Sequence, residues 1–269
     1  MGILYHHRES LNKKLVSIIM PSYNCGQYIE ASIRSVQAQT YQEWELLVVD
    51  DCTSDGSLEK VMTMQREDSR IRLLRQEQRC GAATARNWAL REARGRWIAF
   101  LDSDDQWEPT KLERQIAFME AHGYAFSYTA YQEMDEYLQP TGKLVTGPQY
   151  ITRIGMYAFC WPGCLTVMYD ATKIGLVQIK PIHKNNDYAL WLKVIRKANC
   201  YLLDECLARY LRGRSGSITT HGYGALIKWH YFLFRHAEEM SVPVSFLLTC
   251  GNLLFGVLKK LLYVRKVKS

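Results

Sequence analysis

Three aspartates within four positions, Asp102, Asp104 and Asp105 around Ser103, directly follow the apolar run Trp97-Ile-Ala-Phe-Leu101. Carboxylates this close repel one another unless a cation or a proton sits among them. A hard divalent ion with oxygen ligands, Mn²⁺ or Mg²⁺, relieves that repulsion and also binds phosphate oxygens. The plainer alternative is a solvated acidic turn ahead of the helix that Pro109 announces. A second acidic cluster, Asp50-Asp-Cys-Thr-Ser-Asp-Gly56, follows Leu46-Leu-Val-Val49. There Asp50 and Asp51 are placed to accept hydrogen bonds from a ribose hydroxyl or a base N–H, whereas Asp55 reads as an Asx turn and helix N-cap. A third cluster, Cys80-Gly-Ala-Ala-Thr-Ala-Arg-Asn87, opens a helix with small residues that let the backbone approach a ligand, and Arg86 lies one turn in. Tight helix packing with Arg86 on the surface accounts for it equally well.

Such clusters act together only if the fold gathers them, and the intervening patterns predict one that does. Residues 15–20, 46–49, 71–74 and 97–101 are short apolar runs of strand length. Between them, residues 26–39 carry Ile29, Ile33 and Val36 at helical spacing, and residues 82–93 read as a helix. Strands alternating with helices make βαβ units, hence an α/β fold with a mostly parallel, Rossmann-like central sheet. Ligands of such sheets sit beyond the carboxyl ends of the strands, where all three clusters fall. After Pro109 the spacing predicts a helix over 110–122, a strand over 124–131, an irregular stretch to Pro148, a strand over 165–169 and a helix over 186–197.

In this order the clusters closely resemble the family 2 inverting glycosyltransferases of the GT-A fold. The resemblance begins at Val16-Ser-Ile-Ile-Met-Pro-Ser-Tyr-Asn24, similar to the family's opening strand and P-x-Y-N loop. It continues through Asp50 and Asp51, residues 81–87 and the DxD motif Asp102-Ser-Asp104, and returns at Asn186-Asp-Tyr-Ala-Leu-Trp191. About 200 residues are covered. The resemblance implies that Pro21, Tyr23 and Asp51 line a base pocket, with Asn24, Asp50 and Ser103 in the same donor set and Arg86 near the base or phosphates. It also implies that Asp102 approaches the ribose and the metal, that Asp104 ligates the metal, and that Asp187 is the general base. The donor it implies is a nucleotide diphosphate sugar, with uridine diphosphate first in line. Two positions depart from the family pattern: Asn186 stands where Glu is common, leaving Asp187 without an acidic neighbour, and Cys52 replaces a common Gly. A basic, hydroxyl-rich loop with Arg212, Arg214, Ser215 and Ser217 is similar to the family's late diphosphate loop. His221 is a further metal-ligand candidate, although a lone loop histidine is more often simply solvated.

The 269-residue chain is 48% hydrophobic and 23% charged, enough apolar residue for a sizeable core, and its net charge of +7 favours anionic partners. The eight cysteines lie in apolar or motif segments without a C-x-x-C pair and read as reduced thiols. The polar start is unlike a signal peptide. A catalytic domain is expected over 1–220 and a helical, membrane-associating segment over 221–269. Residues 242–258 are uncharged but interrupted by Pro243, Gly251, Asn252 and Gly256, so an amphipathic interfacial helix is expected rather than a spanning one, with Lys259, Lys260, Arg265, Lys266 and Lys268 meeting anionic headgroups. Packing on the domain or on a partner in a homodimer is the alternative. The expected location is therefore cytoplasmic, peripheral on the inner face of the membrane, with a glycan or lipid-linked glycan acceptor. Nucleic acid is not expected, because the basic residues gather in the tail and late loop. A nucleotidyltransferase would need a basic triphosphate loop that Pro21 to Gly26 lacks. An inactive binding module would be suggested by loss of Asp104 or Asp187, and both are present.

Overall fold

The first four strands form the parallel half of one sheet, and their burial explains why these residues become strands. The computed structural model describes residues 11–213 and 223–266. Strands β1 (Asn12–Ser22), β2 (Trp44–Asp50), β3 (Ile71–Arg75) and β4 (Gly95–Phe100) pair in the order β4-β1-β2-β3, all parallel. Along β1 successive side chains enter opposite cores. Val16, Ile18 and Met20 pack with Ile29, Ile33 and Val36 of helix α1 (Ile29–Gln37) and with Val61 and Met64 of α2 (Ser57–Glu67). Ile19 packs on the other face with Ala83, Ala85, Ala89 and Leu90 of α3 (Ala82–Glu92). Two-sided burial is what the continuous apolar runs require.

Beyond β4 the sheet turns antiparallel. After β5 (Gln106–Trp107) and α4 (Lys111–His122) come β6 (Phe126–Met134), β7 (Pro140–Val145) and β8 (Tyr150–Ile151). Helix α5 (Arg153–Ala158) and a 3₁₀ turn at Cys164–Thr166 lead to β9 (Met168–Asp170), which pairs antiparallel with both β4 and β6. Helices α6 (Ala171–Ile174) and α7 (Asn186–Val194) precede β10 (Cys200–Leu211), which runs parallel to β6 and antiparallel to β5 and β8. The strand expected over 165–169 is thus a 3₁₀ turn followed by β9, and the stretch taken as irregular contains β7. That β-hairpin is closed by Asp135, whose Oδ1 accepts from the N–H groups of Tyr137 and Gln139, both at 2.9 Å.

The C-terminal segment returns to the sheet. Helix α8 (Tyr223–Phe232), a π turn at Leu233–Ala237 and α9 (Val242–Leu262) end in β11 (Val264–Lys266), which pairs antiparallel with β7. The boundary expected at residue 220 lies outside the described residues. The tail beyond it is a cover packed on the domain, with Leu233, Phe234 and Ala237 buried in the main core.

Helix α7 is fixed on β4 by Trp191, whose ring meets Phe100 edge-on at 4.9 Å and Phe126 at 6.1 Å. Trp191 is fully buried. Trp191→Ala should cost about 3–5 kcal/mol of stability, because the cavity left against Phe100 cannot collapse without moving a strand. Urea unfolding followed by circular dichroism measures it, and a loss below ~1 kcal/mol would show that the ring is not a keystone.

Candidate active site

Because β1, β2 and β4 run parallel in register, their carboxyl ends lie side by side: Ser22 is level with Asp50, and Ile19 with Phe100. A cleft of about 480 Å³ opens above them. Pro21, Tyr23, Asp51, Arg86, Asp102, Ser103, Asp104 and Asp187 all line it, so eight of the sequence candidates converge on one site. Asn24 and Asp50 do not line it. The Asn24 Oδ1 accepts from Ser54 N–H at 2.9 Å, and the Asp50 carboxylate accepts from Thr53 N–H, so both knit together the loops behind the wall that holds Tyr23 and Asp51. Arg212 pairs with Glu133 away from the cleft wall. Arg214, Ser215, Ser217 and His221 lie outside the described residues.

Asp51 is buried and already strongly engaged. Its Oδ1 accepts from Gln76 Nε2 at 2.9 Å and Cys80 N–H at 2.7 Å, and its Oδ2 accepts from Gly81 N–H at 2.9 Å. A carboxylate has about four lone-pair sites, so Oδ2 keeps capacity for one more donor. Gly81 supplies its bond from φ +84°, a left-handed conformation that glycine adopts without strain. Across the loop the Arg79 guanidinium stacks on the Tyr23 ring, 3.9 Å from its centroid. Arg79 escaped the sequence reading because it precedes the small-residue motif. A flat cation stacked on a half-buried tyrosine ring marks a surface suited to a planar ring.

Arg86 joins the two sides of the cleft. Buried on α3, it donates from Nη2 to Asp102 Oδ1 at 2.5 Å and from Nη1 to Asn186 Oδ1. Burial opposes its charge, but Cys164, Asp102 and Asp187 outweigh that and raise its pKa. Arg86, expected near the base or phosphates, stands in the cleft between the DxD turn and the start of α7, with Asp102 and Asn186 as its partners.

Asp187 sits in the first turn of α7. Burial pushes its carboxyl above the ordinary aspartate value, the Arg86 charge and the Tyr188 N–H pull it down, and Asp102 pushes it up again. A missing acidic neighbour at 186 therefore does not leave Asp187 with an unperturbed acidity, since desolvation supplies the upward shift. Asp105 differs from its two neighbours. Its Oδ1 accepts from Leu211 N–H at 2.8 Å, and burial, reinforced by Asp104 and Asp102, drives its pKa well upward. It ties the acidic turn to β10, leaving the half-buried Asp102 and Asp104 facing the cleft. Two oxygen-donor side chains on one turn suit a hard divalent ion. Among the described residues no group of three His, Cys, Asp or Glu side chains is set to hold a metal, so an ion at Asp102 and Asp104 needs further oxygens from a phosphate or water. The opposite wall, missed by the sequence reading, is Tyr131 of β6 and Tyr210 of β10, with ring centroids 5.7 Å apart, together with Gly163, Cys164 and Leu165.

Residues 17–161 match the model of glycosyl transferase family 2. TuaG of Bacillus subtilis (strain 168), named for teichuronic acid biosynthesis, is 40% identical over 229 residues, 85% of this chain and 90% of its own. WfgD of Escherichia coli, a UDP-Glc:alpha-D-GlcNAc-diphosphoundecaprenol beta-1,3-glucosyltransferase, is 48% identical over 185 residues, 69% of this chain and 71% of its own. Among solved structures, Staphylococcus aureus TarS residues 1–349 with UDP-GlcNAc superposes with a TM-score of 0.68 at 19% identity, covering 88% of this chain and 71% of that one. That last likeness establishes the GT-A fold.

The electrostatics of Asp187 are directly measurable. In a carbon-13 titration its carboxyl should protonate at a midpoint above the ~3.9 of an exposed aspartate, assigned by loss of the signal in Asp187→Asn. Arg86→Met should raise the midpoint further, because it removes the main group favouring the charged form. A midpoint at or below the ordinary value would contradict the desolvated setting.

Proposed function

Because the chain belongs to glycosyl transferase family 2, we propose that it moves one sugar from a uridine diphosphate sugar to a hydroxyl of a lipid-diphosphate-linked surface glycan, with inversion at the anomeric carbon. It would do so at the inner face of a bacterial membrane. The observation that carries the reading is the Arg86 bridge, which sets Asp102 and Asp104 on one side of a single cleft and Asp187 on the other. The donor and acceptor classes draw on WfgD, whose name specifies UDP-glucose and a diphosphoundecaprenol-linked sugar.

The residues divide the work. Tyr23 offers its face to the uracil ring, with Arg79 moving aside or closing over it, and the spare capacity of Asp51 Oδ2 accepts the base N–H. Pro21 and Ser103 shape the floor. A divalent ion, Mn²⁺ or Mg²⁺, on Asp102 and Asp104 would offset the charge growing on the leaving diphosphate. Arg212 serves the phosphates only by exchanging its Glu133 partner. The acceptor hydroxyl enters on the Asp187 side. Its oxygen bonds to the anomeric carbon as the bond to the diphosphate oxygen breaks on the opposite face, and its proton passes to Asp187. Desolvation makes Asp187 a better base than an exposed aspartate, while the Arg86 charge favours its ionised form.

Two outcomes test the reading. Purified protein given UDP-glucose and a synthetic GlcNAc-diphospholipid should form a disaccharide lipid detectable by mass spectrometry, and Asp187→Asn should slow turnover roughly 10²-fold or more while leaving UDP affinity nearly unchanged. Unaltered turnover in that variant would remove Asp187 from the chemistry. Separately, excess chelator or Asp104→Ala should abolish transfer, with activity returning on Mn²⁺ or Mg²⁺ addition only to the chelated parent. Full activity in chelator would exclude the metal role.

A further inference from the structure

Helix α9 is built inside out. At 3.6 residues per turn, Ser245, Thr249 and Asn252 share one face, and that polar face is the buried one, each residue at most 3% exposed. Phe246, Leu247, Cys250, Leu254, Val257 and Leu261 lie opposite, within roughly 100° of one another on the helical wheel. All six are exposed, Leu247 at 70% and Leu261 at 73%. A helix covering a soluble domain does the reverse. Val242 and Val244 at the start of the same helix, and Phe232 at the end of α8, are exposed as well. Contiguous apolar surface of this kind marks a contact site.

The polar face grips the domain through specific bonds. Asn252 Nδ2 donates to the Tyr157 carbonyl at 3.2 Å and Lys259 Nζ to the Trp161 carbonyl at 2.6 Å. Lys259, expected at the headgroups, is therefore turned inward, where burial pulls its pKa down to about 8. The helix has 21 residues and is long and apolar enough to cross a membrane, which the interrupted run 242–258 did not suggest. Crossing would break both bonds and the β11–β7 pairing at its end, and would drag the buried Leu233 and Phe234 from the core. It is held flat along the domain.

We propose that the outer face of α9 docks in the plane of an anionic lipid bilayer, seating the apolar side chains among the acyl chains without spanning it. Charge selects lipid over a second copy of this chain. From residue 240 to 266 every charged residue is basic, and Lys260, Arg265 and Lys266 are exposed at one end of the apolar face. A two-fold self-interface would bury this face with its like-charged rim and no acidic residue of the helix to balance it. Anionic headgroups supply that balance. The proposal concerns a surface away from the cleft and stands whether or not the donor, metal and base assignments do.

Flotation of the full chain with phosphatidylcholine vesicles, one third of the lipid being phosphatidylglycerol, tests it. The parent should float at low salt, less with neutral vesicles, and less again as salt rises. Leu247→Ser/Leu254→Ser/Leu261→Ser, all at exposed positions, should reduce the bound fraction roughly tenfold or more while keeping UDP binding and the parent's thermal transition. An independent readout needs no substitution on α9: Cys250 labelled with an environment-sensitive fluorophore in a Cys80→Ser/Cys206→Ser background should shift to the blue on vesicle addition and be quenched by brominated acyl chains. Unbound parent at low salt, an unquenched label, or a dimer that the triple variant converts to monomer without any vesicle binding would overturn the proposal.

Discussion

A guanidinium cannot be buried without partners that answer its charge and its donors, and Arg86 is buried at the centre of the cleft. Asp102 provides the charge and Asn186 an acceptor, so one side chain on α3 dictates the spacing between the end of β4 and the start of α7. Helix α3 reaches that depth because Ala83, Ala85 and Ala89 let it lie close against β1 and β2. On the far side Trp191 presses α7 onto Phe100, two residues before Asp102. Electrostatic and packing constraints therefore close a loop around the site, and neither the acidic turn nor Asp187 can shift alone. Asn186 suits this arrangement. An amide oxygen satisfies Arg86 without adding a second anion beside Asp187, and leaves Asp102 the carboxylate directly paired with the guanidinium.

The acidic turn shows how environment divides identical side chains. Asp102 pairs with Arg86 and stays partly open to the cleft, and Asp104 lines the same space. Asp105, fully buried with one oxygen on Leu211 N–H and the other without a partner, is driven toward its neutral form. Disfavouring the charge on Asp105 reduces the repulsion inherent in three adjacent carboxyls, and its bond from Leu211 N–H anchors the turn to β10. The strand that carries Tyr210 into the opposite wall thus also holds the acidic turn, so the two walls of the cleft share that support.

The parallel half was legible because buried strands and amphipathic helices have unlike periods, and each run from residue 15 to 101 falls close to its expected place. The second half was less so. Strand β10 carries Asp204-Glu205 in its middle, where its pairing with β6 shifts register, so its side chains never alternate cleanly. Strand β7, with the sequence Pro-Thr-Gly-Lys-Leu-Val, has little apolar content because most of it lies at an exposed part of the sheet. The site was legible by type rather than by task. Eight candidates reach the cleft, yet Asn24 and Asp50, identical in kind to their neighbours, spend their oxygens on the loops behind it. Nothing in a residue's type reveals how many of its lone pairs the fold has already used. Tyr131, Tyr210 and Arg79 went unnoticed because each looks ordinary until a neighbouring element brings it to the wall.

The direction of α9 illustrates the same limit more sharply. A narrow polar stripe on an apolar helix fits two opposite placements, stripe to water or stripe to protein, and the pattern is the same in both. What decides is the surface beneath. The segment from Tyr157 to Trp161 leaves carbonyls outside the regular ladders, and Tyr188 Oη, Asn252 and Lys259 are the donors that reach them. Leaving such acceptors dry and unpaired would cost about 1–3 kcal/mol each, so the polar stripe turns inward and the leucines are forced out. That same segment continues into Gly163, Cys164 and Leu165 on the cleft wall. The bonds that orient the helix therefore also brace that wall of the cleft, and the exposed apolar face of α9 is joined to it by a few residues of one continuous chain.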